Sequence, residues 1–214
     1  MSASFVIPEM ATFRRVHAPG GTFFFTVVTH RRAPVLADPG LLQALREAMT
    51  RVRRELPFQM IAMVVLPDHM HCVWKLPDGD GDYPRRWSMI KRLTSQRVMR
   101  AAAEDAVPST GSCAWRTLPS APDDALPSAP DDARPSGLRR RESGLWQRRY
   151  WEHQIRNDAD LDNHISYIHW NPVKHGYVSR PREWPYSTVH RFQRQGIIPR
   201  DWGVDGEFTG DFGE

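Results

Sequence analysis

The chain has 214 residues, 40% hydrophobic and 25% charged, enough for one ordinary core and too few for two comfortable domains. Lys plus Arg outnumber Asp plus Glu by 29 to 25 and the pI is near 9.4, so any attraction for a polyanion must come from where the basic residues fall. Cys72 and Cys113 alone exclude a disulfide scaffold or a cysteine-based zinc site and fit a reducing cytoplasm, while the absence of a signal-like start and of any long apolar run argues against export or a membrane span.

After Gly20-Gly21, the stretch Thr22 to Thr29 is dense in Phe, Val and Thr and predicts a first strand, followed by the basic pair Arg31-Arg32. Asp38 can cap a first helix in which Leu42, Leu45, Met49 and Val52 recur at three- and four-residue steps, with Pro57 beyond its end. Phe58 to Leu66 and His71 to Leu76 predict two strands joined by a tight Pro67-Asp68 connection, and the run from Pro77 to Gly81 a loop. A second helix is expected from Arg85 to about Ala102, with Trp87, Ile90 and Leu93 as its apolar side. Between Tyr83 and Arg100 lie six basic residues (Arg85, Arg86, Lys91, Arg92, Arg97, Arg100) and no acid. Such a stripe can follow a polyanion, and it can equally be a solvated helix face.

From 104 to 143 the composition changes, and Leu118 to Ala125 is repeated without change as Leu126 to Ala133. A polar repeat rich in Pro, Ser and Asp cannot bury enough apolar surface to offset roughly 1–2 kcal/mol per residue of backbone ordering, which predicts a disordered insertion. Regular structure resumes at Leu145-Trp146, with a fourth strand from Tyr150 to Ile155. Asn157 or Asp158 then opens a third helix, with Leu161, Ile165 and Ile168 on one face and Gly176 as its stop. The order β-α-β-β-α-β plus one helix predicts an α+β chain with a ferredoxin-like antiparallel sheet. Residues 1–214 are expected to form a single domain, with 179–214 as a tail packed on its core.

Alternate residues of a strand share a side, so His69 and His71 present two imidazoles together while Met70 and Cys72 face away. Such a pair can hold one divalent cation, although ordinary surface or core histidines produce the same pattern. The neighbouring Asp68 reads as a turn residue. On the third helix Asp160, His164, Tyr167 and Asn171 follow at three- and four-residue steps and form a polar ridge outside the apolar stripe. A solvated face with an amphipathic tyrosine explains that ridge as well, and Tyr150 and Tyr186 compete with Tyr167 as nucleophiles on composition alone.

Four segments carry a further signal: 21–26 (Gly-Thr-Phe-Phe-Phe-Thr), 64–74 around His69-Met70-His71, 145–153 from Leu145-Trp146-Gln147-Arg148 to Tyr150-Trp151-Glu152-His153, and 167–178 from Tyr167 through Asn171-Pro172-Val173-Lys174-His175-Gly176. With Trp184-Pro185-Tyr186-Ser187-Thr188 they resemble the HUH superfamily of single-tyrosine transposases, and within it the REP-associated tyrosine transposases. The resemblance implies that His69 and His71 bind a divalent metal, Mg²⁺ or Mn²⁺, and that Tyr167 is the nucleophile. In insertion-sequence relatives a glutamine four residues after the tyrosine completes the metal shell. Asn171, one methylene shorter, stands there in this chain. The low-complexity stretch is a second departure, since close relatives connect the second helix to the Trp-Gln-Arg segment by fewer residues.

The expected activity is therefore cleavage and strand transfer on single-stranded DNA folded into palindromic REP-type hairpins, through a 5′-phosphotyrosine intermediate. Arg31, Arg32, Lys91, Arg92, Lys174 and His175 are the candidates for holding the DNA backbone, and a monomer is expected. Two alternatives stay open: a non-catalytic RRM-like nucleic-acid-binding module, and a metal-dependent nuclease that uses water.

Overall fold

The computed structural model describes residues 18–105 and 144–203, with the side chains of Glu104 and Asp105 outside that description. Its strands are β1 (Thr22–Val28), β2 (Gln59–Val65), β3 (His69–Lys75) and β4 (Trp151–Gln154). Its helices are α1 (Pro39–Glu55), α2 (Tyr83–Asp105), α3 (Asp158–Lys174) and α4 (Val189–Arg194). The strands pair in the order β2-β3-β1-β4, every pair antiparallel, which is the ferredoxin-like sheet expected from the sequence. The low-complexity repeat lies outside the described residues. The helix before it runs to Asp105, three residues beyond the expected end and into the start of the proposed 104–143 insertion.

Strand alternation sorts the two faces. Phe23, Phe25 and Val27 of β1 and Met70, Cys72 and Trp74 of β3 point toward α1 and α2 and form the larger core. Asp38 caps α1 as expected, its carboxylate accepting from Leu41 N at 2.9 Å, and Leu41, Leu45, Met49 and Val52 bury against the sheet. Trp74 stacks against Phe58 and Trp87, with ring centroids 4.1 and 4.3 Å away, so aromatic area anchors α2 to the sheet. On the opposite face Phe24, Val73, Ala62 and Val64 meet α3 through Tyr167 and Ile168.

Arg86 departs from the expected basic stripe. Its side chain is buried, its guanidinium donates to both Asp80 carboxylate oxygens (3.0 and 2.6 Å) and to the carbonyls of Leu56, Pro57 and Asp82, and it ties the end of α1 to the start of α2. A charge satisfied so fully is a strut of the fold, not a contact for a polyanion.

Beyond α3 the chain returns to the outer edge of β2. Val65 N donates to Tyr186 O (2.9 Å), Thr188 N to Met63 O (2.8 Å), and Trp184 Nε1 to Val65 O (2.9 Å). These bonds cover an edge that would otherwise present unpaired backbone groups. Among the described residues no helix is long and apolar enough to cross a membrane.

Candidate active site

The β2–β3 hairpin turn holds the first element of the site. Thr29, at the end of β1, donates its backbone N–H to Asp68 O (2.9 Å), and Leu36 N donates to Pro67 O (2.7 Å), so the turn is pinned from the side. His69 and His71 then project from the α3 face of β3, both buried, with ring centroids 4.8 Å apart. Each ring is oriented through Nδ1. His69 Nδ1 donates to Asp68 Oδ1 at 2.6 Å, and His71 Nδ1 lies 2.9 Å from Thr26 Oγ1 on the adjacent strand. With Nδ1 engaged in both rings, Nε2 is the nitrogen suited to ligation, the same device by which carboxylates and hydroxyls orient metal-binding histidines elsewhere.

The charges around the pair are ordered. Burial raises the Asp68 carboxyl, but the hydrogen bond and charge of His69, joined by Arg32 3.0 Å away, overcome it and bring its pKa down to about 2. Burial, followed by the positive fields of His69, His175, Lys174 and Arg32, pushes His71 well below its ordinary value. A neutral imidazole is the form that ligates a cation.

Helix α3 supplies the second half. Asn157 caps it, accepting from Asp160 N at 2.9 Å. The polar ridge faces the sheet together with one member of the apolar stripe: His164, Tyr167, Asn171 and Ile168 are all buried, whereas Leu161 and Ile165 are only half-buried at its flank. The reason lies on the other side of the contact, where His71 and Thr26 make this part of the sheet polar and accept a polar helix face. The Tyr167 ring meets His71 edge-on at 5.2 Å, and one turn beyond Asn171 the His175 ring meets His69 at 5.1 Å. Asn171 lies between these two contacts along the helix. Its Oδ1 and Nδ2 are both buried without a hydrogen-bond partner among the described residues.

That orphaned amide is the test of whether a cation suits the site. A buried carboxamide left unsatisfied costs about 1–3 kcal/mol, and ligation through Oδ1 removes part of that penalty. Two imidazoles, which ligate in their neutral form, and an amide oxygen make a mixed N/O set that suits Mn²⁺ and admits Mg²⁺. The residues present therefore fit the group.

The remaining sequence candidates divide. Lys174 Nζ lies 3.4 Å from the Tyr167 hydroxyl and 4.9 Å from its ring centroid, Arg32 bonds Asp68, and exposed Arg31 shares the same left-handed turn, with φ of 53° and 52° for the two arginines. Lys91 and Arg92 belong instead to the helical layer behind the sheet, where Lys91 Nζ donates to Gln147 O (2.8 Å) and covers the Tyr150 ring. Tyr150 packs against Phe25 and Trp87 in that same layer, and Tyr186 flanks the same core, so neither competing phenol faces the histidines. Asp68 and Thr26 carry roles that the sequence reading missed. The adjacency of Asp68 to an HxH pair was a usable signal for the first, whereas Thr26 became visible only through the β1–β3 register that sets it opposite His71.

A ferredoxin-like sheet that sets an HxH pair against a tyrosine-bearing helix is the layout of the HUH single-tyrosine enzymes. No family model matches the chain. It is 38% identical over 197 residues to the REP-associated tyrosine transposase of Escherichia coli (strain K12), covering 92% of this chain and 93% of that one. To a putative REP-associated tyrosine transposase of Haemophilus influenzae (strain ATCC 51907 / DSM 11121 / KW20 / Rd) it is 35% identical over 195 residues, covering 91% and 94%. A solved REP-associated tyrosine transposase bound to a REP hairpin superposes with a TM-score of 0.68 at 36% identity, covering 95% of this chain and 96% of that one. The chain belongs to the REP-associated tyrosine transposases, HUH single-tyrosine enzymes, and has a transposase-like role in processing DNA.

Proposed function

We propose that the protein cleaves and rejoins single-stranded DNA at palindromic REP-type hairpins, with Tyr167 as the attacking group and a covalent 5′-phosphotyrosine intermediate. The observation that carries this reading is the meeting of a buried phenol with His71 on one side and the Lys174 ammonium 3.4 Å away on the other. A phenol ordinarily ionises near pH 10, and an adjacent cation favours the phenolate. As the phenol gives up its proton, its oxygen attacks phosphorus in line. An O–P bond to Tyr167 forms, the bond from phosphorus to the 3′-oxygen breaks, and that oxygen leaves as a hydroxyl after taking up a proton. One phosphoester replaces another, so the reverse step rejoins DNA without a nucleotide triphosphate. The sequence accordingly carries no GxxxxGK phosphate loop.

His69, His71 and Asn171 would hold Mg²⁺ or Mn²⁺, whose charge offsets that building on the non-bridging phosphate oxygens. Because all three residues are uncharged as ligands, none of that charge is cancelled within the shell. Asp68 and Thr26 keep the imidazoles in one tautomer and orientation. Arg31, Arg32 and His175 at the rim take the neighbouring phosphates, and Lys91 and Arg92 serve only a stem long enough to reach the helical layer. The relative solved on a REP hairpin supports the hairpin as substrate. One chain supplies both the histidines and the tyrosine, which supports action as a monomer.

An RRM-like module would leave the second sheet face open to stack bases, and here α3 covers it, burying Phe24 and Val73. The test is Tyr167→Phe with a labelled REP hairpin and Mn²⁺. Wild type should yield a protein–DNA adduct that survives denaturation, and the variant none. Cleavage retained by the variant would establish water as the nucleophile, and an adduct that persists would move the nucleophile to another tyrosine.

A further inference from the structure

A second group of ligand-type side chains lies on the same helix, one turn before the tyrosine. His153 of β4 and Asp160 and His164 of α3 bring one donor atom each to within 4.8 Å of one another. Asp160 shares its carboxylate between the two rings, Oδ2 lying 3.0 Å from His153 Nε2 and Oδ1 3.0 Å from His164 Nδ1, and the imidazoles stack at 4.8 Å with 16° between their planes. His164 Nδ1 also lies 2.7 Å from the Asp160 carbonyl, and the Arg156 backbone N–H donates to Oδ2. None of these groups belongs to the HxH pair. Phe24 touches both sets, its ring 4.8 Å from His164 and 5.4 Å from His71, so a hydrophobic ring borders the two positions.

We propose that His153, Asp160 and His164 form a second cation site, selective for Zn²⁺-like ions, that fastens the start of α3 to β4. Two imidazoles and one carboxylate are a ligand set that zinc takes with water in the remaining position. Donor atoms at about 2.0–2.2 Å from a tetrahedral ion stand roughly 3.3–3.5 Å apart, so the 3.0 Å contacts here open by a few tenths of an ångström on loading. His164 must turn slightly, because stacked rings do not aim at one point, and the ring takes its Nε2–H form, the proton on Nδ1 passing to solvent as Nε2 takes one up. Side-chain exposures of 18%, 20% and 7% for His153, Asp160 and His164 leave an entry path from solvent beside one buried anchor. The set has one negative charge, against none in the HxH–Asn171 shell, and two nitrogens with a hard carboxylate favour zinc over magnesium.

A cation here joins a strand to the first two turns of the helix that carries Tyr167. It acts as a positioning site, and only that consequence rests on the function proposed above. Unloaded, the trio is a hydrogen-bonded latch, and loading exchanges shared protons for coordination bonds.

The experiment uses the full, tag-free chain, stripped with chelator and titrated with Zn²⁺ and Co²⁺. Metal content after desalting, the visible bands of four-coordinate Co²⁺ and the melting temperature are the readouts. A His69→Ala/His71→Ala variant should keep one tightly held Zn²⁺, the Co²⁺ bands and the Zn²⁺-dependent rise in melting temperature. Added to that variant, Asp160→Asn or His153→Gln, which preserve size, should weaken all three by at least tenfold in affinity, and in the wild-type background they should still give the Mn²⁺-dependent DNA adduct, at a reduced rate. Absence of bound Zn²⁺ from the His69→Ala/His71→Ala protein, with its fold intact by circular dichroism, overturns the site and leaves the latch alone. Equal Zn²⁺ binding by the His69→Ala/His71→Ala protein with and without Asp160→Asn overturns it as well. Loss of the adduct in Tyr167→Phe with Zn²⁺ binding unchanged separates this result from the fate of the catalytic reading.

Discussion

Asp68→Asn probes the orientation of His69 with little change in shape. The carboxylate falls from 3.8 to about 2 through its contacts with His69 and Arg32, which at about 1.36 kcal/mol per unit corresponds to roughly 2 kcal/mol, and to nearer 1 kcal/mol once the solvent-exposed Arg32 contact is discounted. Asparagine can still accept from Nδ1, so the loss is the charge-assisted part of a 2.6 Å bond. Removing a group that orients a ligating histidine lowers metal affinity about 10- to 100-fold. The assay is calorimetric titration with Mn²⁺ in an Asp160→Asn background, so that one class of site is read, with Arg32→Ala as the control that alters Asp68 without touching His69. Adduct formation should recover at saturating Mn²⁺, because the ligands themselves are intact. An affinity within about twofold of the parent would refute the claim that this carboxylate sets the ring.

Three more outcomes follow from the geometry. Lys174→Met should slow adduct formation at neutral pH and move the rising limb of its pH–rate profile to higher pH, with DNA affinity falling far less than the rate, as expected when a cation that favours the phenolate is lost. Arg86→Met should cost about 3–5 kcal/mol in denaturant unfolding, since it leaves Asp80 and three carbonyls without their partner, and adduct chemistry measured well below the new melting temperature should persist. His169, buried and bonded to Thr188 Oγ1 at 3.0 Å, is held down to about 3 by burial and then by Arg191 and His190. Its folded value lies below its unfolded value of 6.5, so its contribution to stability is complete above pH 6.5 and is lost as pH falls toward 3, amounting to about 2 kcal/mol by pH 5. Urea unfolding at pH 7 and 5 should show this loss, and His169→Gln should flatten it.

Much of this was legible because strand and helix periods are strict. Alternation put His69 and His71 on one side before any coordinates, and the Asp38 and Asn157 caps and the four strands fell within a residue or two of expectation. Two things escaped for physical reasons. The sequence left open whether the helix ridge faces water or the histidines, because whether a polar face is buried depends on what opposes it, and the opposing polarity comes from β1 and β3, some hundred residues upstream. Arg86 looked like its basic neighbours because sequence does not display the carbonyls of Leu56 and Pro57, after α1, and of Asp82, before α2, that converge on it.

The two faces of the sheet divide the work of the molecule. Behind it, aromatic packing of Trp74, Trp87, Phe25 and Tyr83 builds a dense core, its polar cost confined to the buried indole N–H groups of Trp74 and Trp87. In front, α3 buries three polar side chains for one tyrosine, and the unsatisfied amide of Asn171 shows that this face is not arranged for maximal stability of the unliganded chain. Besides the apolar contact of Tyr167 and Ile168 with Phe24, Ala62, Val64 and Val73, the helix is held at its ends: the Asn157 cap and the His153–Asp160–His164 cluster at one, and the bonds of the β2 edge segment, which His169 joins through Thr188, at the other. With its helix clamped at both ends, Tyr167 can meet the polar His71 as well as that small apolar cluster. Severing either clamp should then misplace Tyr167 and slow adduct formation while leaving the larger core, and most of the unfolding free energy, in place.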